Sequence, residues 1–97
     1  MMKETRDFLA ELKDGFPSFQ GPGDVTEHTR AGETGDYPIH YAAIQNRKLV
    51  VEQMLELGVD VNVTGEDDCT ALDYALLHGH EDLAEYLRTK GGRANRV

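Results

Sequence analysis

The 97 residues carry a formal net charge of −8, 18 Asp and Glu against 10 Lys and Arg, a balance that repels nucleic-acid phosphates and anionic lipid headgroups and attracts basic surfaces. The length suits one domain with a modest core, and that core must be mostly aliphatic, because Trp is absent and aromatics make up 7%. Cys69 stands alone, so no internal disulfide can form; the N-terminus has no apolar signal region and no run is long enough to span a bilayer, so a cytoplasmic protein is expected.

In chain order, residues 3–14 read as a helix ending at Gly15, with Phe8, Leu9 and Leu12 on one face. The loop Phe16-Pro17-Ser18-Phe19-Gln20-Gly21-Pro22-Gly23 is rich in helix breakers, and its two phenylalanines should pin it to the body. Two short helices follow, over about 38–45 and 48–57. Pro38 suits a first helical position, where its missing N–H is no loss. Residues 59–69 are β-branched early and polar later, with Gly65 near the middle, which predicts an extended, hairpin-like finger. A second helix pair covers about 71–78 and 81–89. Thr70 and Asp73 have capping-box spacing, Asp standing where Glu is usual. Residues 91–97 are polar and basic and are expected to be frayed.

The two helix pairs are copies of each other. Shifted by 33 residues, Ile39 falls on Leu72, Tyr41 on Tyr74, Ala42 on Ala75, Ile44 on Leu77, Val50 on Leu83, Glu52 on Glu85, Met54 on Leu87 and Gly58 on Gly91. Both glycines fall where a helix ends and can take the left-handed conformation needed there.

The stretch Gly35-Asp36-Tyr37-Pro38-Ile39-His40-Tyr41-Ala42-Ala43 resembles the ankyrin signature T-P-L-H-x-A-A, and Thr70-Ala71-Leu72-Asp73-Tyr74-Ala75-Leu76 does so again one period later. Gly58-Val59-Asp60-Val61-Asn62 is similar to the family's G-A-D-V-N, and Gly79-His80-Glu81-Asp82-Leu83-Ala84 to its G-H-x-E-I-V. The resemblance implies an all-α solenoid of stacked helix pairs with hairpin-like fingers. As one domain over 1–97, it divides into a capping helix (3–14), a loop and first finger (15–34), a first repeat (35–58), a second repeat (59–92) and a tail (93–97). Each copy keeps one member of the family's Thr–His pair, His40 in the first and Thr70 in the second; Asp36 is expected to cap the first helix instead. One period before Gly58 a helix-ending glycine should stand at position 25, whereas the stop is at Gly15. This implies an insertion of roughly ten residues after the first helix.

About three layers are needed for such a stack, so the 3–14 helix is expected to supply the third. Leu49, Val51, Leu55 and Leu57 become Asp82, Ala84, Arg88 and Lys90 in the second copy. Most of these positions turn polar, as where no further repeat covers them. The expectation is an array that ends at Gly91-Gly92 and a complete protein.

Nothing assembles a catalytic or metal site. His78-Gly79-His80 lacks the three or four converging ligands zinc requires; it reads as an inter-helix turn with His80 bonded locally. Asp67 and Asp68 beside Cys69 would raise a thiol pKa rather than activate it. Neither Asp67-Asp68 nor Glu81-Asp82 has a pocket to separate two carboxyl pKa values. No enzyme activity, cofactor or small-molecule substrate is expected.

The charge is unevenly placed. Residues 49–87 hold ten acids (Glu52, Glu56, Asp60, Glu66, Asp67, Asp68, Asp73, Glu81, Asp82, Glu85) and no Lys or Arg. This suits either a solvated face or a field that steers a basic partner. The resemblance implies a protein-binding module. Small size and acidity suggest a stand-alone inhibitor or immunity-type protein masking a basic target such as a nuclease toxin; the alternative is a scaffold or adaptor subunit. The family's variable positions, expected to point away from repeat-to-repeat contacts, give Ala31, Glu33, Thr34, Asp36, Ile44 and Gln45 in the first copy. In the second they give Thr64, Glu66, Asp67, Cys69, Leu77 and His78. Tyr41 and Tyr74, expected near the concave side, join them because Tyr is enriched at interfaces.

Overall fold

The computed structural model describes residues 2–19, 21 and 23–97, so Gln20 and Pro22 of the breaker-rich loop lie outside the described residues. Among these described residues five α-helices follow in order: α1 (Lys3–Gly15), α2 (Pro38–Ile44), α3 (Lys48–Glu56), α4 (Ala71–Leu77) and α5 (Glu81–Thr89). Two 3-10 turns, Pro17–Phe19 and Glu66–Asp68, complete the regular structure, and no strand occurs among the described residues.

The two pairs pack as the repeat requires. α2 lies against α3, α4 against α5, and α2 against α4, which joins the repeats. One apolar cluster runs through all five helices. Phe8, Leu12, Ile39, Ala42, Val51, Met54, Ala71, Ala75, Leu83 and Leu87 are almost wholly removed from solvent. Ala42 and Ala75 occupy the same repeat position, and their small side chains let the helices approach closely. Gly58 (φ 95°) and Gly91 (φ 86°) take the left-handed conformation just past α3 and α5.

α1 packs on α3, as a first layer should. Phe8, Leu9 and Leu12 are buried. The joint is also polar. Gln53 on α3 accepts from the Thr5 backbone N–H (3.0 Å) and hydroxyl (2.7 Å), and donates to Glu4 Oε1 (2.7 Å). The Thr5 N–H belongs to the first turn of α1, where no intrahelical acceptor exists, so Gln53 supplies one from the neighbouring layer. The Arg47 guanidinium lies 5.2 Å from the Phe8 ring centroid and strengthens the same contact. Among the described residues no second α-helix accompanies α1. Its place beside α2 is taken by the loop, whose Phe16 and Phe19 rings stand edge-on to Tyr41 at 5.2 and 5.3 Å.

The finger between the repeats is a hairpin without strands. Gly65 N–H bonds the Cys69 carbonyl at 2.9 Å, and Asp67 and Asp68 both have positive φ (55° and 65°), as the central residues of a type I′ turn do. Asp tolerates this conformation better than most side chains.

Several expectations are corrected. The segment 91–97, expected to fray, is hydrogen-bonded to the second repeat. Asp36 does not cap α2: the Tyr37 N–H donates to His40 Nδ1 at 2.8 Å instead, so the histidine closes the helix start without a threonine. His80 bonds not locally but to the Ile44 carbonyl at 2.8 Å, one repeat back, and satisfies the C-terminal end of α2. Leu49 is 51% exposed, so the second repeat does not cover it.

Candidate functional site

The residues singled out from the sequence fall into three groups. Glu33, Gln45, Thr64, Glu66, Asp67, Leu77 and His78 are exposed; Thr34, Tyr41, Ile44 and Tyr74 are half-buried; Ala31, Asp36 and Cys69 are buried. Leu77 and Ile44 share a repeat position near the ends of α4 and α2, and at 60% exposure Leu77 is the most exposed large apolar side chain of the described residues. Glu66 and Asp67 form the finger turn.

One buried member, Asp36, serves the joint between repeats, contrary to the expectation that these positions avoid such contacts. Asp36 Oδ1 accepts from the Glu66 backbone N–H at 2.9 Å and from the Tyr74 hydroxyl at 2.7 Å. One carboxylate therefore ties the start of the first repeat to the second finger and to α4. Gly65 makes this possible, since a Cβ there would lie 2.0 Å from Asp36 Oδ1. Burial and then the Asp36 bond push the Tyr74 phenol well above its ordinary pKa. Tyr41 is half covered by Phe16 and Phe19, and its hydroxyl lies 3.4 Å from Thr34 Oγ1.

His40 is fully buried and reaches the next layer. Its Nδ1 accepts from Tyr37, so Nε2 carries the proton and donates to the Val63 carbonyl at 2.9 Å. Burial lowers its pKa, against the pull of Val63 and Asp36. At the equivalent position Asp73 completes the expected capping box, accepting from Thr70 N–H at 2.7 Å while Asp73 N–H donates to Thr70 Oγ1 at 3.2 Å. Burial alone would raise the Asp73 pKa, but N–H donors from Thr70, Arg96, Asn95 and Val97 outweigh it and hold the carboxyl below its ordinary value.

The thiol of Cys69 is pushed up, by burial first and then by Asp73 and Asp67. That makes it a poor nucleophile. Among the described residues no group of three or more His, Cys, Asp and Glu could hold a metal ion, and no helix is long and apolar enough to cross a membrane.

Sequence reasoning missed the anchoring of residues 91–97, the forward reach of Asn62 and the covering of Tyr41 by the loop. A signal for the first two was present: Asn62 and Asn95 stand one period apart, as do Gly58 and Gly91.

Stacked helix pairs joined by a hairpin finger, with a histidine bonding from one pair to the next finger, define a repeat solenoid of the kind that presents side chains to a protein partner. The family model for ankyrin repeats in many copies matches residues 39–88. The chain belongs to the ankyrin-repeat family. It is 38% identical over 58 residues to a putative ankyrin repeat protein of Neisseria meningitidis, covering 60% of this chain and 23% of that protein. It is 39% identical over 54 residues to the human espin-like protein (56% and 5%) and 30% identical over 59 residues to the human Notch-regulated ankyrin repeat-containing protein (61% and 52%). The chain thus spans about half the length of these relatives or less. Ankyrin repeats are protein–protein interaction modules, and the family is in general non-catalytic.

Proposed function

We propose that this protein acts as an inhibitor or immunity-type protein that masks a basic target, such as a nuclease toxin, in the cytoplasm. The observation that carries the reading is the run of ten acids without a cation across residues 49–87. Only Asp73 among them is buried, so nine contribute to the surface field. Such a field raises the rate of encounter with a cationic partner and discriminates against acidic ones. Exposed Leu77 and half-buried Ile44 offer apolar contact, and exposed Glu66 and Asp67 on the finger offer negative charge. That combination fits a basic surface bearing an apolar anchor.

The test is affinity capture with the wild type and two charge variants. One changes Glu66, Asp67 and Asp68 to their amides; the other changes Glu52, Glu56 and Glu85. A single basic protein held by the wild type and lost with the finger variant supports masking. Several unrelated partners, retained by both variants, would instead make the chain a scaffold or adaptor subunit. Cell fractionation tests the compartment.

A further inference from the structure

His40 and Asp73 stand 33 residues apart at the same repeat position, yet their outward chemistry is opposite. His40 presents an N–H and takes the carbonyl of Val63. Asp73 is a carboxylate and can only accept. One period beyond Val63 lies Arg96, and its backbone N–H donates to Asp73 Oδ1 at 2.8 Å. The neighbouring N–H groups of Asn95 and Val97 reach the same oxygen, each at 3.0 Å. Three successive main-chain donors on one carboxylate form an anion-binding nest. The segment thus lies in the register of a further finger but turns N–H groups inward where the finger before it turns a carbonyl.

The remaining contacts of this segment are also made through the main chain or through asparagine. The Thr70 hydroxyl donates to the Arg93 carbonyl at 2.6 Å. Asn62 brackets the segment, donating to the Gly91 carbonyl at 3.0 Å and accepting from the Arg93 N–H at 2.8 Å. Asn95 Nδ2 reaches back to the Asp68 carbonyl at 2.9 Å. Residues 93–97 are otherwise exposed and bury no large apolar side chain. Hydrogen bonds without apolar burial give a weakly held element, able to open without the helices.

We infer that residues 93–97 form a releasable strap, latched through their main-chain N–H groups on Asp73, and that the side chain at position 73 decides whether the strap is docked. The strap is held through its backbone and the Asn95 side chain, so Arg93, Ala94 and Arg96 are free to vary. Asp73→His is the decisive variant. By analogy with His40, the imidazole Nδ1 can still accept from Thr70 N–H and keep the start of α4, while its Nε2–H faces the three donors and repels them. Asp73→Asn retains one acceptor oxygen and should weaken the latch less.

Native-state hydrogen exchange on the full chain reads the result. In the wild type, the amides of Asn95, Arg96 and Val97 should be protected and should open together, before those of α2 and α4. In Asp73→His their protection should fall at least tenfold with α2 and α4 unchanged, and in Asp73→Asn by an intermediate factor. Unprotected strap amides in the wild type would overturn the docking. Exchange only through global unfolding would overturn release. Equal protection in wild type and Asp73→Asn would overturn the latch, even if Asp73→His failed to fold.

Discussion

The Tyr74 hydroxyl donates to Asp36 at 2.7 Å across 38 residues of chain, so the first repeat holds the second through a carboxylate that the sequence marks as a surface position. The bond is half-buried and its acceptor is charged. Tyr74→Phe should therefore lower stability by about 1–2 kcal/mol. Gly65→Ala should cost at least as much, because its Cβ would lie 2.0 Å from Asp36 Oδ1 and 2.8 Å from His40 Nδ1. Both act on the same carboxylate, so urea unfolding of the double variant should show a loss smaller than the sum of the two. Strict additivity would mean that Asp36 is not the shared element.

His40 should make the stack sensitive to mild acid. Burial holds its pKa below the ordinary value of 6.5, so near that pH the unfolded chain binds more protons than the folded one. Stability then rises with pH through that window and is lost as pH falls below the unfolded pKa. Denaturant midpoints measured between pH 7.5 and 5.5 should fall toward acid, and His40→Gln should flatten the dependence. An identical slope in the variant would assign the proton uptake to other groups.

The first layer is structural. Leu12 is completely buried, and Leu12→Ala should cost about 2–5 kcal/mol. Deleting residues 1–15 removes Phe8, Leu9 and Leu12 together and takes the partners of Gln53 with them. The truncated chain should lose its cooperative melt, followed by circular dichroism. A melt at the wild-type temperature would show that two helix pairs suffice.

Sequence periodicity conveyed the helix pairs because every third or fourth apolar residue must face one core, and a shift of 33 residues superposes those faces. It conveyed the Thr70–Asp73 cap because a cap is local, with both partners three residues apart. It did not convey the distant partners of Asp36, Asn62, His80 and Asp73, since each of these side chains, whatever its local bonds, reaches a residue at least 22 positions away. A polar residue at a variable position has the same appearance in sequence whether it meets a partner or closes a joint. For that reason the sequence does not separate Asp36 from exposed neighbours such as Glu33 and Glu66, although burial does.

The reading of the acidic face as a steering surface is tested most directly by the association rate with the captured basic partner, measured against salt. Exposed charges are screened beyond about 8 Å at physiological ionic strength, so the wild-type rate should fall steeply as salt rises. Changing Glu66, Asp67 and Asp68 to their amides should slow association several-fold at low salt and flatten the salt dependence, with little change in thermal stability. The same change at Glu52, Glu56 and Glu85, on α3 and α5, should do less. A wild-type rate indifferent to salt and to the finger substitutions would contradict the account and leave the charge as a device for solubility.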